Sequence, residues 1–206
     1  MNFLSRFSIK VKILVIPAIA VIGFIATLAV NAQINSKNTD RLAQIQDLYF
    51  PVVQSSRENI VRINRIEELL NTAVSTGESD VVDSAKRTYK ELLEKIDEQE
   101  SLWPAKTEEL ELTKRTVNGY FAVALRLSEG MVNGDLDPSE MPTLVQKMNE
   151  TLSKTKRQLG GFNEAALQAF NLTVSESNEA TSQALVTTLT LSVIAIVTIV
   201  LISASI

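Results

Sequence analysis

The sequence contains neither cysteine nor histidine. Without cysteine there is no disulfide framework and no thiolate metal site. Without histidine the commonest general base, metal ligand and pH switch are missing, and no phosphoaccepting histidine lies in this chain. Glycine is scarce, at seven residues, and proline at five. The one adjacent pair, Gly160-Gly161, has no Lys-Ser/Thr beside it, so no phosphate-cradling loop is present. Enzymatic activity within these residues is not expected, nor is a cofactor or a metal. A further absence is positional: no carboxylate precedes Asp40 or follows Glu179.

The ends of the chain are instead apolar. Ile13 to Val30 and Ala184 to Ile206 are uncharged. At about 1.5 Å per helical residue the second stretch reaches roughly 34 Å, enough to cross a bilayer, and the first is nearer the minimum. Arg6, Lys10 and Lys12 stand directly before the first stretch with no acid among them. Basic flanks stay on the cytoplasmic side, so residues 1–12 are expected in the cytoplasm and 13–31 and 184–206 in the membrane. Residues 32–183, which hold all 24 acids, then lie outside. The acidic excess of that middle region argues against nucleic acid and against a grip on the membrane surface. Val30 and Ala32 sit at a spacing that signal peptidase tolerates, so cleavage before Gln33 is the competing reading. The apolar run exceeds the ~7–15 residues of a signal core, which favours an uncleaved anchor.

The middle region reads as helix nearly throughout. Apolar residues recur at alternating steps of three and four, the pattern of helices packed together. One seam is Leu42, Ile45, Tyr49, Val52, Ser56, Asn59, Ile63, Ile66, Leu70 and Ala73. The second runs from Val82 through Leu92 and Gln99 to Trp103, and the third from Leu110 through Tyr120 to Met131. The fourth runs from Met141 and Val145 through Thr155 and Phe162 to Ala169. Gly77 is a helix stop followed by a Ser or Asp cap, and Trp103-Pro104 ends the next helix. Thr107 is the expected cap of the third, and Pro138 the expected start of the fourth. Helices are therefore expected at about 33–76, 80–103, 107–132 and 139–183. The expected fold class is all-α, an up-down four-helix bundle flanked by two transmembrane helices.

Lengths and breakers suggest how the bundle ends. Counting down from the Gly77 turn, Pro51, Trp103-Pro104 and Gly160-Gly161 fall at one level, where helix irregularities are expected. Below it, Gln33–Phe50 and Phe162–Gln183 would form a two-helix stalk whose seam carries Leu42, Ile45, Tyr49, Phe162, Ala166 and Ala169. A second copy would cover that face, so a parallel homodimer is expected.

This plan resembles the input half of a bacterial methyl-accepting chemotaxis receptor. The resemblance rests on Ser8-Ile9-Lys10-Val11-Lys12-Ile13-Leu14, on Tyr49-Phe50-Pro51-Val52-Val53, and on Ala73-Val74-Ser75-Thr76-Gly77-Glu78. Ile202-Ser203-Ala204-Ser205-Ile206 is similar to the point where the second membrane helix enters a HAMP relay domain. It implies a periplasmic sensor in the inner membrane, with signalling parts beyond Ile206. Membrane diguanylate cyclases and sensor histidine kinases use related input modules. In the aspartate and serine receptors of this family, arginines on the first outer helix hold the ligand carboxylate at the dimer face. The resemblance therefore points to Arg57, Arg62 and Arg65 as ligand-binding candidates, and the level count places Arg65 opposite Asn149 and near Tyr89 and Tyr120. A guanidinium fork beside amide and phenol groups suits a carboxylate.

Each candidate has a plainer reading. Glu58 and Glu68 stand within one turn of Arg62 and Arg65, so surface ion pairs could occupy them. Tyr89 and Tyr120 also suit core packing with a hydroxyl at the rim. Ser56, Asn59, Gln99 and Thr155 form a polar layer on the seams that fixes register or lines a small pocket. Function is thus open between three classes. One is a sensor of an amino acid or organic acid, one a docking surface for a periplasmic binding protein, and one a dimerisation and anchoring module without a ligand.

Overall fold

The computed structural model describes residues 9–204, with side chains from 17 to 201. Arg6, Ser8, Ser205 and Ile206 lie outside the described residues, and Lys10 and Lys12 outside the described side chains. Among the described residues the fold is all-α. It comprises α1 (Ile9–Gln44), α2 (Phe50–Thr76), α3 (Ser79–Leu102), α4 (Thr107–Asn133) and α5 (Met141–Ala204). Two of these helices carry a segment long and apolar enough to cross a membrane. The chain divides into two compact units, residues 45–171 and residues 1–44 with 172–206.

The first of these units is built on the expected seams. Val52, Ile63, Ile66 and Ala73 of α2 are fully buried, as are Ala85, Leu92 and Ile96 of α3 and Val117 and Ala124 of α4. Leu152, Leu159, Phe162 and Ala166 of α5 complete the core. Neighbouring helices run antiparallel. Lys86 pairs with Glu129 and Lys114 with Asp97 between α3 and α4. Lys156 pairs with Glu67, and Ser56 with Asn163, between α5 and α2. The seams lose their ends: Met131 and Val145 are exposed, while Val132 beside Met131 packs against the core.

Several local expectations are corrected. The irregularity expected at Pro51 is the turn before it, a π-helical turn over Ile45–Tyr49 that leads into α2. A widened turn relieves the clash of a proline ring with the carbonyl four residues back. At Gly160-Gly161 no irregularity exists, and α5 runs straight through. The buried neighbours Leu159 and Phe162 hold that turn in place. Thr107 lies inside the first turn of α4, where Lys106 is the cap residue and makes no side-chain cap. Likewise the cap of α3 is Glu78 rather than Ser79 or Asp80. Pro138 lies in the turn before α5, which starts at Met141. Gly77 and Gly134 end α2 and α4 in the left-handed conformation, as glycine allows.

The stalk boundary also moves. Phe162 and Ala166, assigned to a face awaiting a second copy, are buried within this chain. Trp103 sits edge-on to Tyr49 at 5.6 Å and near Phe162 at 6.0 Å, closing the end of the core.

In the other unit the described buried residues are Thr173 and Ser177, while most large apolar side chains are exposed and others, such as Ile19 and Leu191, are half-buried. Rungs of side-chain hydrogen bonds join its helices. The Thr188 hydroxyl donates to Asn31 Oδ1 at 2.9 Å, and Asn38 Nδ2 donates to Thr181 Oγ1 at 3.2 Å. Ser177 donates to Asn38 Oδ1, and Arg41 Nε pairs with Glu176 at 3.3 Å. Gly23 lies where an added Cβ would stand 3.7 Å from Ala195 Cβ, so small residues set that approach.

Candidate functional site

α2 places Arg62 at the edge of the core, one turn from Glu58 and beside the seam residue Asn59. Its side chain is 20% exposed, and its guanidinium donates to Glu58 Oε2 at 3.1 Å and to Asn59 Oδ1 at 3.2 Å. Asn59, fully buried, donates in turn from Nδ2 to Gln99 Oε1 on α3 at 3.2 Å. Gln99 is buried too, and its Nε2 has no acceptor among the described residues. A continuous line of polar contacts thus leads from a surface carboxylate to an unsatisfied amide in the core. Hydrogen bonds from Gln54 and then Arg62 hold the Glu58 carboxyl below its ordinary pKa.

One turn toward Pro51, Ser56 donates to Asn163 Oδ1 at 2.9 Å. On α4 and α5, Thr155 donates to the carbonyl of Thr116 at 3.1 Å, and Thr116 donates to Gln158 Oε1. The polar layer therefore joins α2 to α3, α2 to α5 and α4 to α5. Such a layer fixes register, because sliding either helix would strand buried polar groups. Among the described residues, Gln99 Nε2 and the neighbouring Ser55 Oγ are the buried side-chain polar atoms without a hydrogen-bond partner.

The other expected site residues are not drawn together. Arg65 donates to Glu68 at 2.8 Å, in a pair exposed on both sides. Tyr89 stacks on Phe121 at 3.9 Å and donates to Asn118 at 2.9 Å, and burial raises its pKa. Asn149 and Arg57 are exposed. No hydrogen bond among the described residues joins Arg65, Tyr89 and Asn149. Tyr120 is buried in the core, and that burial pushes its pKa up. The ordinary-pair reading thus describes the observed partners of Arg62 and Arg65, and only Arg62 reaches the polar layer.

Sequence reasoning placed Asn59 and Gln99 in one layer but missed the line that runs through them to Glu58. The Glu58–Arg62 pair was expected from its spacing; the added link is the contact of Arg62 with Asn59. No family model, curated protein or solved structure matches the chain.

Proposed function

We propose that this chain is the input module of a transmembrane receptor of the chemotaxis type. In this reading residues 32–183 form an up-down four-helix bundle in the periplasm, dimeric with a second copy. Residues 13–31 and 184–206 span the inner membrane. The observation that carries it is α5, one helix from Met141 to Ala204 that includes both core residues such as Leu159 and the second apolar stretch. A change in how the body packs is then a change in the helix that enters the membrane. The ligand is a small carboxylate such as an amino acid or organic acid. It competes with Glu58 for the Arg62 fork, and withdrawal of Arg62 frees Asn59 to repack against Gln99. Binding shifts the packing only by the difference in affinity between the two arrangements.

A second reading, an anchoring and dimerisation module without its own ligand, is favoured by one observation. Arg62 and Arg65 are both already paired within α2. The two readings part in one experiment. The whole chain, joined after Ile206 to the kinase-controlling half of a chemotaxis receptor, is titrated in vesicles with amino acids and organic acids. A saturable change in kinase output that Arg62→Ala weakens ten- to a hundred-fold supports the sensor, as expected for about 1.5–3 kcal/mol from a charge-assisted contact. No response to any of these acids supports the anchor. A response that appears only with a periplasmic binding protein moves recognition to a protein surface. A response that Arg62→Ala leaves intact moves the pocket elsewhere.

A further inference from the structure

The unit of residues 1–44 and 172–206 contains a groove of about 380 Å³ with an unusual charge arrangement. Lys37 and Arg41 of α1 line it from one side, and Glu176, Glu179 and Gln183 of α5 from the other. Ile34 and Ala180 supply its apolar part. The charges are balanced but not exhausted among themselves. Arg41 meets Glu176 through Nε at 3.3 Å, and Glu179 accepts one bond from Gln183 at 3.3 Å. Lys37 is exposed and makes no hydrogen bond or ion pair among the described residues. The groove therefore offers a free ammonium and a nearly free carboxylate on facing helices.

Its depth matters as much as its charge. Lys37 follows Val30 by seven residues and Glu179 precedes Ala184 by five, which at ~1.5 Å per residue is roughly 8–10 Å beyond the apolar stretches. Headgroups extend about 5–8 Å past the hydrocarbon, and a lysine stem reaches several ångströms further along a helix. Gln183 stands at the hydrocarbon edge itself. A lipid phosphate and its substituent would meet these side chains at their natural height.

We propose that this groove holds the headgroup of a phosphoethanolamine lipid, with the phosphate on Lys37 and Arg41 and the ammonium on Glu179. The proposal rests on the membrane reading given above. A phosphate needs cationic donors, which the α1 side supplies. A primary ammonium needs a carboxylate acceptor, which α5 supplies. Choline cannot donate a hydrogen bond to Glu179, and no aromatic ring lines the groove to cradle a quaternary ammonium. Glycerol carries no charge to meet the carboxylate. The site thus selects the zwitterion whose two charges match both walls.

The test uses the full chain reconstituted in vesicles of phosphatidylglycerol mixed with either phosphatidylethanolamine or phosphatidylcholine. Flotation first shows whether the chain enters the bilayer, and mild extraction followed by native mass spectrometry counts the lipids retained. Wild type should retain phosphatidylethanolamine over phosphatidylcholine about ten-fold, the scale of one charge-assisted hydrogen bond. Glu179→Gln should abolish that preference while retention of total phospholipid stays. Lys37→Ala should lower retention of every phospholipid. Soluble glycerophosphoethanolamine should not displace the lipid, and displacement would make a free headgroup the ligand and overturn the lipid assignment. A chain that floats but takes both lipids equally, or a Glu179→Gln variant that keeps the preference, overturns the proposal alone. A chain that does not float overturns the membrane reading and this proposal with it.

Discussion

In residues 45–171 most buried positions carry aliphatic and aromatic side chains, and the buried polar groups, Ser128 apart, gather around one hydrogen-bonded layer. In the unit of residues 1–44 and 172–206 the pattern is reversed. Its buried described residues are hydroxyl-bearing, and Phe24, Leu28, Leu189 and Ile196 stand exposed. The difference teaches what each surrounding makes favourable. In water, burial of apolar area drives association of helices, whereas among lipid chains it supplies no such drive. Small residues and side-chain hydrogen bonds then hold the helices. On the membrane reading proposed above, residues 13–31 and 184–206 follow the second rule, while residues 32–44 and 172–183, with the contacts of Asn38, Ser177 and Thr181, lie beyond the bilayer.

The largest expected effect strikes the apolar core. Ile63→Ala, at a fully buried position, should destabilise residues 45–171 by about 2–5 kcal/mol. The single tryptophan, Trp103, packs against Tyr49 and Phe162 and reports that loss in denaturant titrations of the full chain. Ile196→Ala, at an exposed apolar position, should leave that transition unmoved, and a loss of similar size would break the comparison.

Next in size is the polar layer. Gln99→Leu strands Asn59 Nδ2 and should cost about 1–3 kcal/mol, while Asn59→Leu combined with Gln99→Leu should recover most of it. A double variant as unstable as the sum of the singles would show that the two amides are not coupled. A smaller effect of opposite sign is expected at Gly160 and Gly161. An added Cβ meets nothing within 4 Å at either position, so alanine should stabilise by roughly 0.5–1 kcal/mol each. Destabilisation there would reveal a need for glycine that the packing does not show.

The smallest effect is electrostatic. Because the Glu58 carboxyl is held below its ordinary value of 4.5, its contribution is present above that pH and fades as pH falls through the depressed pKa. The pair is partly exposed, so the loss should be a fraction of a kcal/mol. Stability-against-pH curves of wild type and Arg62→Ala should converge in acid. Parallel curves would show that the pair contributes nothing.

The core was legible in the sequence because its period is geometric. Positions such as Ile63, Leu92, Val117 and Leu159 follow steps of three and four that leave little choice of face. Caps were less legible, since Thr107 and Ser79 are good cap residues that the backbone places one step inside. The candidate site was least legible. Whether Arg62 turns to Glu58, to Asn59 or to another chain depends on rotamer and helix rotation, which periodicity does not specify. In the helix pair a signal went unread: Asn31 and Asn38 are seven residues apart, as are Thr181 and Thr188, a heptad written in polar residues. The expected stalk face loses Phe162 and Ala166 for a physical reason, because they find cover within their own chain, whereas Leu42 stays exposed.

The central claim, that an apolar-cored body lies outside a membrane crossed by the two apolar helices, is tested most directly by labelling in intact cells. The chain has no native thiol, so single cysteines at Ser5, Ser79 and Asn133 each report one location. A membrane-impermeant maleimide should label Ser79→Cys and Asn133→Cys in intact cells and Ser5→Cys only after lysis. Labelling of Ser5→Cys in intact cells, or of the other two only after lysis, would contradict the account.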